Sequence, residues 1–178
     1  LVGSEMCIRD RGMAGAKLYY PDDTIQHAGV VVGLGGVAAH VLCKLPRDAE
    51  GYMGRLRCVQ EISAVTAACM MVKTSVFKAV GGFDEELKVA FNDIDLCMKV
   101  RKYGVKIVFT PYAELYHYES KSRGMEDTPE KQLRFSREVN CFRRKWEREL
   151  LKGDPYYNPN LTLNNTDCSL RKQEKNGD

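Results

Sequence analysis

The first third of the chain alternates short apolar runs with turn-forming residues. Residues 17–20 and 25–33 flank the turn at residues 21–24. Because proline presets the first central dihedral angle of a turn and aspartate bonds its own backbone, this pattern predicts a β-hairpin. Residues 33–54 are rich in glycine and show no sustained period, which predicts a long, mobile loop.

Strand and helix signals alternate through the middle of the chain. The apolar run at residues 65–72 predicts a strand covered on both faces, and residues 74–80 predict a short helix that the following glycine pair ends. Residues 92–103 have helical periodicity, and residues 105–110 and 113–118 predict strands on either side of a proline. The alternation favours an α/β fold.

A long amphipathic helix is predicted near the end of the chain. Thr128 is a suitable N-cap and Pro129 suits the first helical position. Between Glu130 and Lys152 the helix carries eight basic and four acidic residues. This face is either a solvated surface, a contact with an anionic membrane or lipid phosphate, or a nucleic-acid contact, and no nucleic-acid motif accompanies it. The apolar positions are Leu133 or Phe135, then Val139, Phe142, Trp146 and Leu150.

Composition narrows these alternatives. The 178 residues are 44% apolar and 29% charged, which excludes general disorder, and a net charge of +3 excludes a dedicated basic nucleic-acid binder. The longest uncharged stretch, residues 28–43, is 16 residues long and too short and glycine-rich to span a bilayer. Seven cysteines without a close pair argue against a zinc ribbon and favour a reducing, cytoplasmic compartment.

Asp93 and Asp95 are the first candidates for acid–base chemistry. Two helical positions that are two residues apart lie roughly 200° apart around the axis, so one of these carboxylates is expected to be structural. If Asn92 caps the helix, Asp93 lies in the first turn and can accept a proton from a hydroxyl that faces it. Alternatively, Asp93 merely complements the helix dipole.

His117, Lys121 and Arg123 lie at and beyond the end of the last predicted strand. His117 is either simply hydrogen-bonded or, beside a carboxylate and a polyphosphate, a ligand for Mn²⁺ or Mg²⁺. Lys121 and Arg123 occupy a loop with serine and glycine, where they suit phosphate oxygens but can equally be surface charges.

Two long motifs connect these residues to a known family. They are VTAACMMVKTSVFKAVGGFDEEL at residues 65–87 and FNDIDLCMKVRKYGVKIVFTPYAELYHYESKSRG at residues 91–124. Both closely resemble the second half of bacterial glycosyltransferase family 2 enzymes, in particular rhamnosyltransferase-like members of cell-surface polysaccharide synthesis. The resemblance covers about residues 15–170, including the hairpin, the GYMGRLR loop and the DPYYNPNLTL tail.

The resemblance implies an N-terminally truncated GT-A fold, a nucleotide-sugar donor, a glycan or lipid-linked acceptor, inversion at the anomeric carbon and Mn²⁺ or Mg²⁺ on the diphosphate. Asp93 matches the family's general base, and His117 matches a histidine near the metal. Asn92 replaces the glutamate of many relatives, which puts that glutamate's contacts in doubt. Gly82, Phe83, Asp84, Glu85 and Asn92 are the expected acceptor-side residues, and Lys121 and Arg123 the expected diphosphate ligands.

Three ranges follow from the same resemblance. Residues 1–12 are expected to be a non-native leader, because their opening resembles translated adapter sequence. Residues 13–127 are expected to be the acceptor-side half of the transferase domain, and residues 128–178 its C-terminal helix and tail. Since no Asp-x-Asp motif precedes the hairpin, the chain alone is expected to be inactive.

The functional alternatives belong to different classes. The first is a fragment of a cytoplasmic sugar transferase, working at the inner face of the cell membrane if the basic helix at residues 130–152 meets lipid. The second is a non-catalytic carbohydrate-binding relative of the same fold. The third is a nucleic-acid or membrane-surface module that works through the basic helix alone, although the family resemblance favours no nucleic-acid partner.

Overall fold

The computed structural model describes residues 10–118 and 128–172. Within these ranges the chain has a mixed α/β fold, which confirms the predicted class. Its strands are β1 (Arg11–Tyr19), β2 (Ile25–His27), β3 (Val30–Val32), β4 (Ala38–His40), β5 (Gln60–Glu61), β6 (Met70–Val72) and β7 (Lys106–Tyr116). Its helices are α1 (Thr74–Ala79), α2 (Asn92–Lys102), α3 (Pro129–Lys145) and α4 (Glu147–Lys152).

Strand β1 is the centre of the main sheet. It runs parallel to β7 along one edge, and its other edge pairs antiparallel with β6 and then with β2. Residues from Met13 to Tyr19 are buried, and Gly12 and Gly15 leave room for the side chains of Val105 and Val65, which approach the strand closely. β1 begins at Arg11, inside the range expected to be a leader.

The predicted hairpin is confirmed, but the loop that follows it is not. β1 and β2 pair with Leu18 opposite His27, around a turn in which Asp22 accepts the backbone N–H of Thr24. The second predicted strand, residues 25–33, is divided at residues 28 and 29 into β2 and β3. β3 then forms a ribbon with β4, which lies within the range predicted as a mobile loop. The buried side chains of Val41 and Leu42 explain why this glycine-rich stretch packs against the core.

The apolar run at residues 65–72 was predicted as one doubly buried strand, and this prediction is wrong. Only Met70–Val72 forms a strand, which lies at an edge of the sheet, and Ala67–Cys69 forms a 3₁₀ turn. Side chains bind the turn's backbone instead of a sheet partner: Thr66 accepts the N–H of Ala68, and Asp93 accepts that of Ala67.

Helices α1 and α2 lie close to their predicted ranges. α1 ends before the glycine pair, and α2 ends two residues before Gly104. Phe91 occupies the cap position with φ of 62° and Asn92 is the first helical residue, so Asn92 does not cap α2, although Asp93 still lies in its first turn. Because only three residues connect α2 to β7, the two run in opposite directions, and the start of α2 and the end of β7 face the same side of the fold.

Strand β7 continues beyond the proline that was predicted to interrupt it. Ala16 pairs with Thr110, and the next β1 residue, Lys17, pairs with Glu114. The three residues between them on β7 bulge out of the ladder, so Pro111 is not required to donate a backbone hydrogen bond.

The predicted C-terminal helix has its expected cap but is broken near its end. Thr128 Oγ1 accepts the N–H of Lys131, and α3 runs to Lys145. Trp146 leaves helical geometry, with ψ of 23°, and its ring enters the core. Within the described ranges, no helix combines the length and apolar character needed to cross a bilayer.

Candidate functional site

Asp93 is fixed beside the 3₁₀ turn at the start of α2. Its Oδ2 accepts the N–H of Ala67 at 3.0 Å, and its Oδ1 accepts the N–H of Ile94 at 2.9 Å. The side chain is half-buried. Since a carboxylate has about four acceptor positions, Asp93 is held in place and retains capacity for a further donor such as a hydroxyl.

Asp95 has a different environment, as the two-residue spacing predicted. It is fully buried and accepts the Trp146 indole N–H at 2.8 Å. The ammonium groups of Lys145 and Lys99 lie 2.7 and 3.1 Å from its two oxygens. Asp95 therefore joins α2 to the end of α3 and is a structural carboxylate.

The expected acceptor-side residues differ in their exposure and in their contacts. Phe83 and Glu85 are exposed. Asp84 Oδ1 accepts the N–H of Glu86, its Oδ2 is paired with Lys145, and this ammonium group holds the pKa of Asp84 below its usual range. Gly82 is buried, with its carbonyl accepting from Lys99 at 2.5 Å. Asn92 is half-buried at the start of α2.

His117 follows the last residue of β7. Its backbone N–H donates to Tyr19, and its Nδ1 lies 2.8 Å from the Gln26 side-chain oxygen. An amide oxygen only accepts, so Nδ1 carries a proton in this hydrogen bond, and in the neutral imidazole Nε2 has the free lone pair. A second-shell bond of this kind orients metal-binding histidines in proteins.

A metal ion at His117 would need further ligands from neighbouring side chains. In residues 10–118 and 128–172, no three His, Cys, Asp or Glu side chains form a group that could hold an ion. His117 Nε2 fits as one ligand, but the described residues do not place two more such side chains beside it. Lys121 and Arg123, the expected diphosphate ligands, lie outside the described residues.

Two further histidines were missed by sequence reasoning. His27 is completely buried, and its Nδ1 lies 3.3 Å from His40 Nδ1, which also contacts the Gln26 carbonyl at 3.0 Å. Gln26 thus connects these rings to His117. The only available signal was the hairpin, which places β2 beside β1.

The buried imidazole makes the stability of the chain sensitive to acid. Burial, followed by the neighbouring His40 and His117, lowers the pKa of His27 well below 6.5. Below pH 6.5 the unfolded chain binds a proton that the folded chain does not, so stability should fall by up to about 1.4 kcal/mol per pH unit. Urea unfolding at pH 7 and pH 5.5 measures this loss. His27→Gln should flatten the slope, and an unchanged slope would contradict the assignment.

A separate cluster of polar side chains lines a cavity of about 340 Å³ near the end of β7. Lys17, only 4% exposed, donates to the Arg47 carbonyl at 3.2 Å, and burial lowers its pKa. The Arg47 guanidinium binds Glu114 at 2.6 Å and the Tyr116 hydroxyl at 3.0 Å. Both terminal nitrogens of the guanidinium are thus engaged, one by Glu114 and the other by Tyr116 and Asp23, so Arg47 braces the end of the strand.

The face of α3 and α4 that points away from the core is basic. Arg137, Arg144, Arg148 and Lys152 are exposed there, with Leu151 83% exposed beside them. Glu138, one of the four acidic residues of the segment, is buried on the opposite face. The outward surface is therefore more positive than the composition of the segment suggests.

Comparison with known proteins found relatives along most of the chain. It is 59% identical over 160 residues to uncharacterized protein y4gI of Sinorhizobium fredii and 39% identical over 168 residues to O-antigen biosynthesis protein RfbC of Myxococcus xanthus. These matches cover 89% and 94% of this chain but only 18% and 13% of the two relatives.

A shorter match involves N-acetylglucosaminyl-diphospho-decaprenol L-rhamnosyltransferase of Mycobacterium tuberculosis, 36% identical over 62 residues. It covers 35% of this chain and 20% of that enzyme. No family model matches the chain, and no solved structure matches it significantly. The chain is thus similar to parts of proteins named for polysaccharide synthesis and sugar transfer.

Proposed function

We propose that this chain is part of an inverting glycosyltransferase of the GT-A type that builds bacterial cell-surface polysaccharide. The observation that carries the proposal is the half-buried Asp93 carboxylate, held by the Ala67 N–H at the side of the fold where β7 ends. The names of the Myxococcus and Mycobacterium relatives support the same class of reaction.

The proposed reaction assigns one proton transfer to Asp93. An acceptor hydroxyl attacks the anomeric carbon of a nucleotide-sugar as the bond from that carbon to the diphosphate oxygen breaks. The hydroxyl proton passes to Asp93, and the nucleoside diphosphate leaves with the electron pair. The position of the Asp93 carboxylate suits a general base, because backbone N–H groups already orient both of its oxygens.

The proposal also includes Mn²⁺ or Mg²⁺, which when bound would neutralise charge on the leaving diphosphate. His117 Nε2 is the described atom that would hold it, because Gln26 occupies Nδ1. The exposed cations of α3 and α4 would suit the phosphate groups of the inner membrane face, where we propose that a lipid-linked acceptor would lie.

Asp93→Asn in the whole protein that contains this chain should reduce kcat about 10²- to 10⁴-fold, because asparagine cannot take the hydroxyl proton. Donor binding should be unchanged. The measurement is release of nucleoside diphosphate from a panel of nucleotide-sugars with a polyprenyl-diphosphate-linked glycan acceptor. Asp167→Asn, on an exposed turn, is the matched control.

Two results would overturn the proposal in different ways. Turnover that survives Asp93→Asn would exclude Asp93 as the base. A wild-type protein that binds the donor or the glycan but releases no nucleoside diphosphate would be a carbohydrate-binding relative without catalytic activity.

A further inference from the structure

Glu138 is a buried carboxylate that binds backbone rather than a substrate. It lies on the inward face of α3 and is 3% exposed. Its Oε1 accepts the N–H of Val89 at 3.1 Å, and its Oε2 accepts the N–H of Ala90 at 2.9 Å. Arg134 Nε lies 3.9 Å from its Oε2. Both bound N–H groups precede Asp93 by three or four residues, so α3 grips the segment that leads into α2.

The same helix also holds the next residue, Phe91, in an unfavourable backbone conformation. Phe91 has φ of 62°, a left-handed geometry that a bulky side chain rarely adopts. Its ring centroid lies 5.8 Å from that of Phe135 and 5.4 Å from that of Phe142, both on α3. Two hydrogen bonds and two ring contacts therefore stabilise a conformation that the local sequence does not favour.

This conformation determines where α2 begins. The Phe91 carbonyl accepts the N–H of Asp95 at 2.8 Å, which closes the first helical turn. Asp93 lies within that turn and reaches Ala67 from it. A rotation of the backbone at residues 89–91 would therefore change the direction of the Asp93 carboxylate.

We propose that Glu138 is a positioning residue for sugar transfer: by binding Val89 and Ala90 it fixes the first turn of α2 and thereby the Asp93 carboxylate. The inference rests on the proposed function, because it assigns the consequence of the clamp to the general base. Glu138 itself touches neither substrate nor the reacting atoms.

Glu138→Gln in the whole protein tests this role. Glutamine can accept one of the two N–H groups but directs its own NH₂ at the other, so the segment should shift. Because a misplacement of about 1 Å at a reacting group costs up to 10²-fold, we expect kcat to fall about 10- to 100-fold. The KM for the nucleotide-sugar should stay within about twofold, measured at a temperature where circular dichroism shows the variant folded. Glu147→Gln, exposed on α4, is the control for loss of charge.

A second variant separates geometry from charge and covers a failure to fold. Glu138→Asp keeps the negative charge but withdraws the carboxylate by one methylene, so kcat should again fall with the donor KM retained. Folded Glu138→Gln and Glu138→Asp proteins with wild-type kcat would overturn the positioning role. If Asp93→Asn abolishes transfer while both Glu138 variants are normal, only this inference fails. If wild-type protein transfers no sugar, the proposed function fails first.

Discussion

Asp95→Ala is expected to lower the free energy of unfolding by about 3 kcal/mol. The substitution removes a completely buried carboxylate on which the Trp146 indole and the Lys99 and Lys145 ammonium groups converge. Breaking a buried ion pair typically costs about 3–5 kcal/mol, because the remaining charge has no partner. The lower end applies here, since both lysines are partly exposed and Lys145 keeps Asp84.

The single tryptophan of the chain makes this measurement direct. Trp146 is 4% exposed, so its fluorescence reports unfolding in urea. Asp95→Asn should lower the free energy of unfolding by less than Asp95→Ala, because the asparagine amide oxygen can still accept the indole N–H although it carries no charge. A cost below 1 kcal/mol for Asp95→Ala would mean that water enters and solvates the two lysines.

Gly15→Ala is expected to destabilise the chain by about 3 kcal/mol through overpacking of the central strand. An added Cβ would lie 2.4 Å from Val65 Cγ1 and 2.6 Å from Val65 Cβ, well inside contact distance. Neither side can yield, because Val65 is completely buried and Gly15 is paired with Met70 on one edge and Phe109 on the other.

Gly35→Ala provides the comparison for this substitution. Gly35 has φ of 64° but nothing within 4 Å of the added Cβ, so only the backbone strain of about 1 kcal/mol is expected. Urea unfolding of both variants, followed by circular dichroism, measures the difference. Equal costs would show that the strand moves to admit the methyl group.

Signals confined to a few adjacent residues predicted much of the fold. The turn at residues 21–24, the Thr128 cap and the glycines after α1 and α2 act through their own backbone, so the sequence near them is sufficient. The prediction of one strand at residues 65–72 failed because Asp93, which is distant in sequence, accepts a backbone N–H that a neighbouring strand would otherwise bind. The predicted break at Pro111 is absent because β7 bulges there, and in the bulge no backbone N–H is required of the proline.

In the candidate site, too, local features could be predicted from the sequence, and contacts between distant residues could not. Helical geometry alone predicted that Asp93 and Asp95 diverge. The contact between Gln26 and His117 joins residues 91 positions apart, and the grip of Glu138 on Val89 spans 49 positions. Each depends on the completed packing of distant elements, and periodicity carries no information about such contacts.

The parallel pairing of β1 with β7 also constrains the order in which the chain folds. The Tyr19 hydroxyl and Glu114, which bond across these strands at 2.7 Å, are 95 residues apart in sequence, whereas β1 and β2 are joined by a tight turn. During synthesis the hairpin can form early, but β1 must keep its other edge open until β7 leaves the ribosome. Loop closure over that distance is slow relative to a local hairpin, so β1 is the strand most exposed to wrong pairing in a nascent chain.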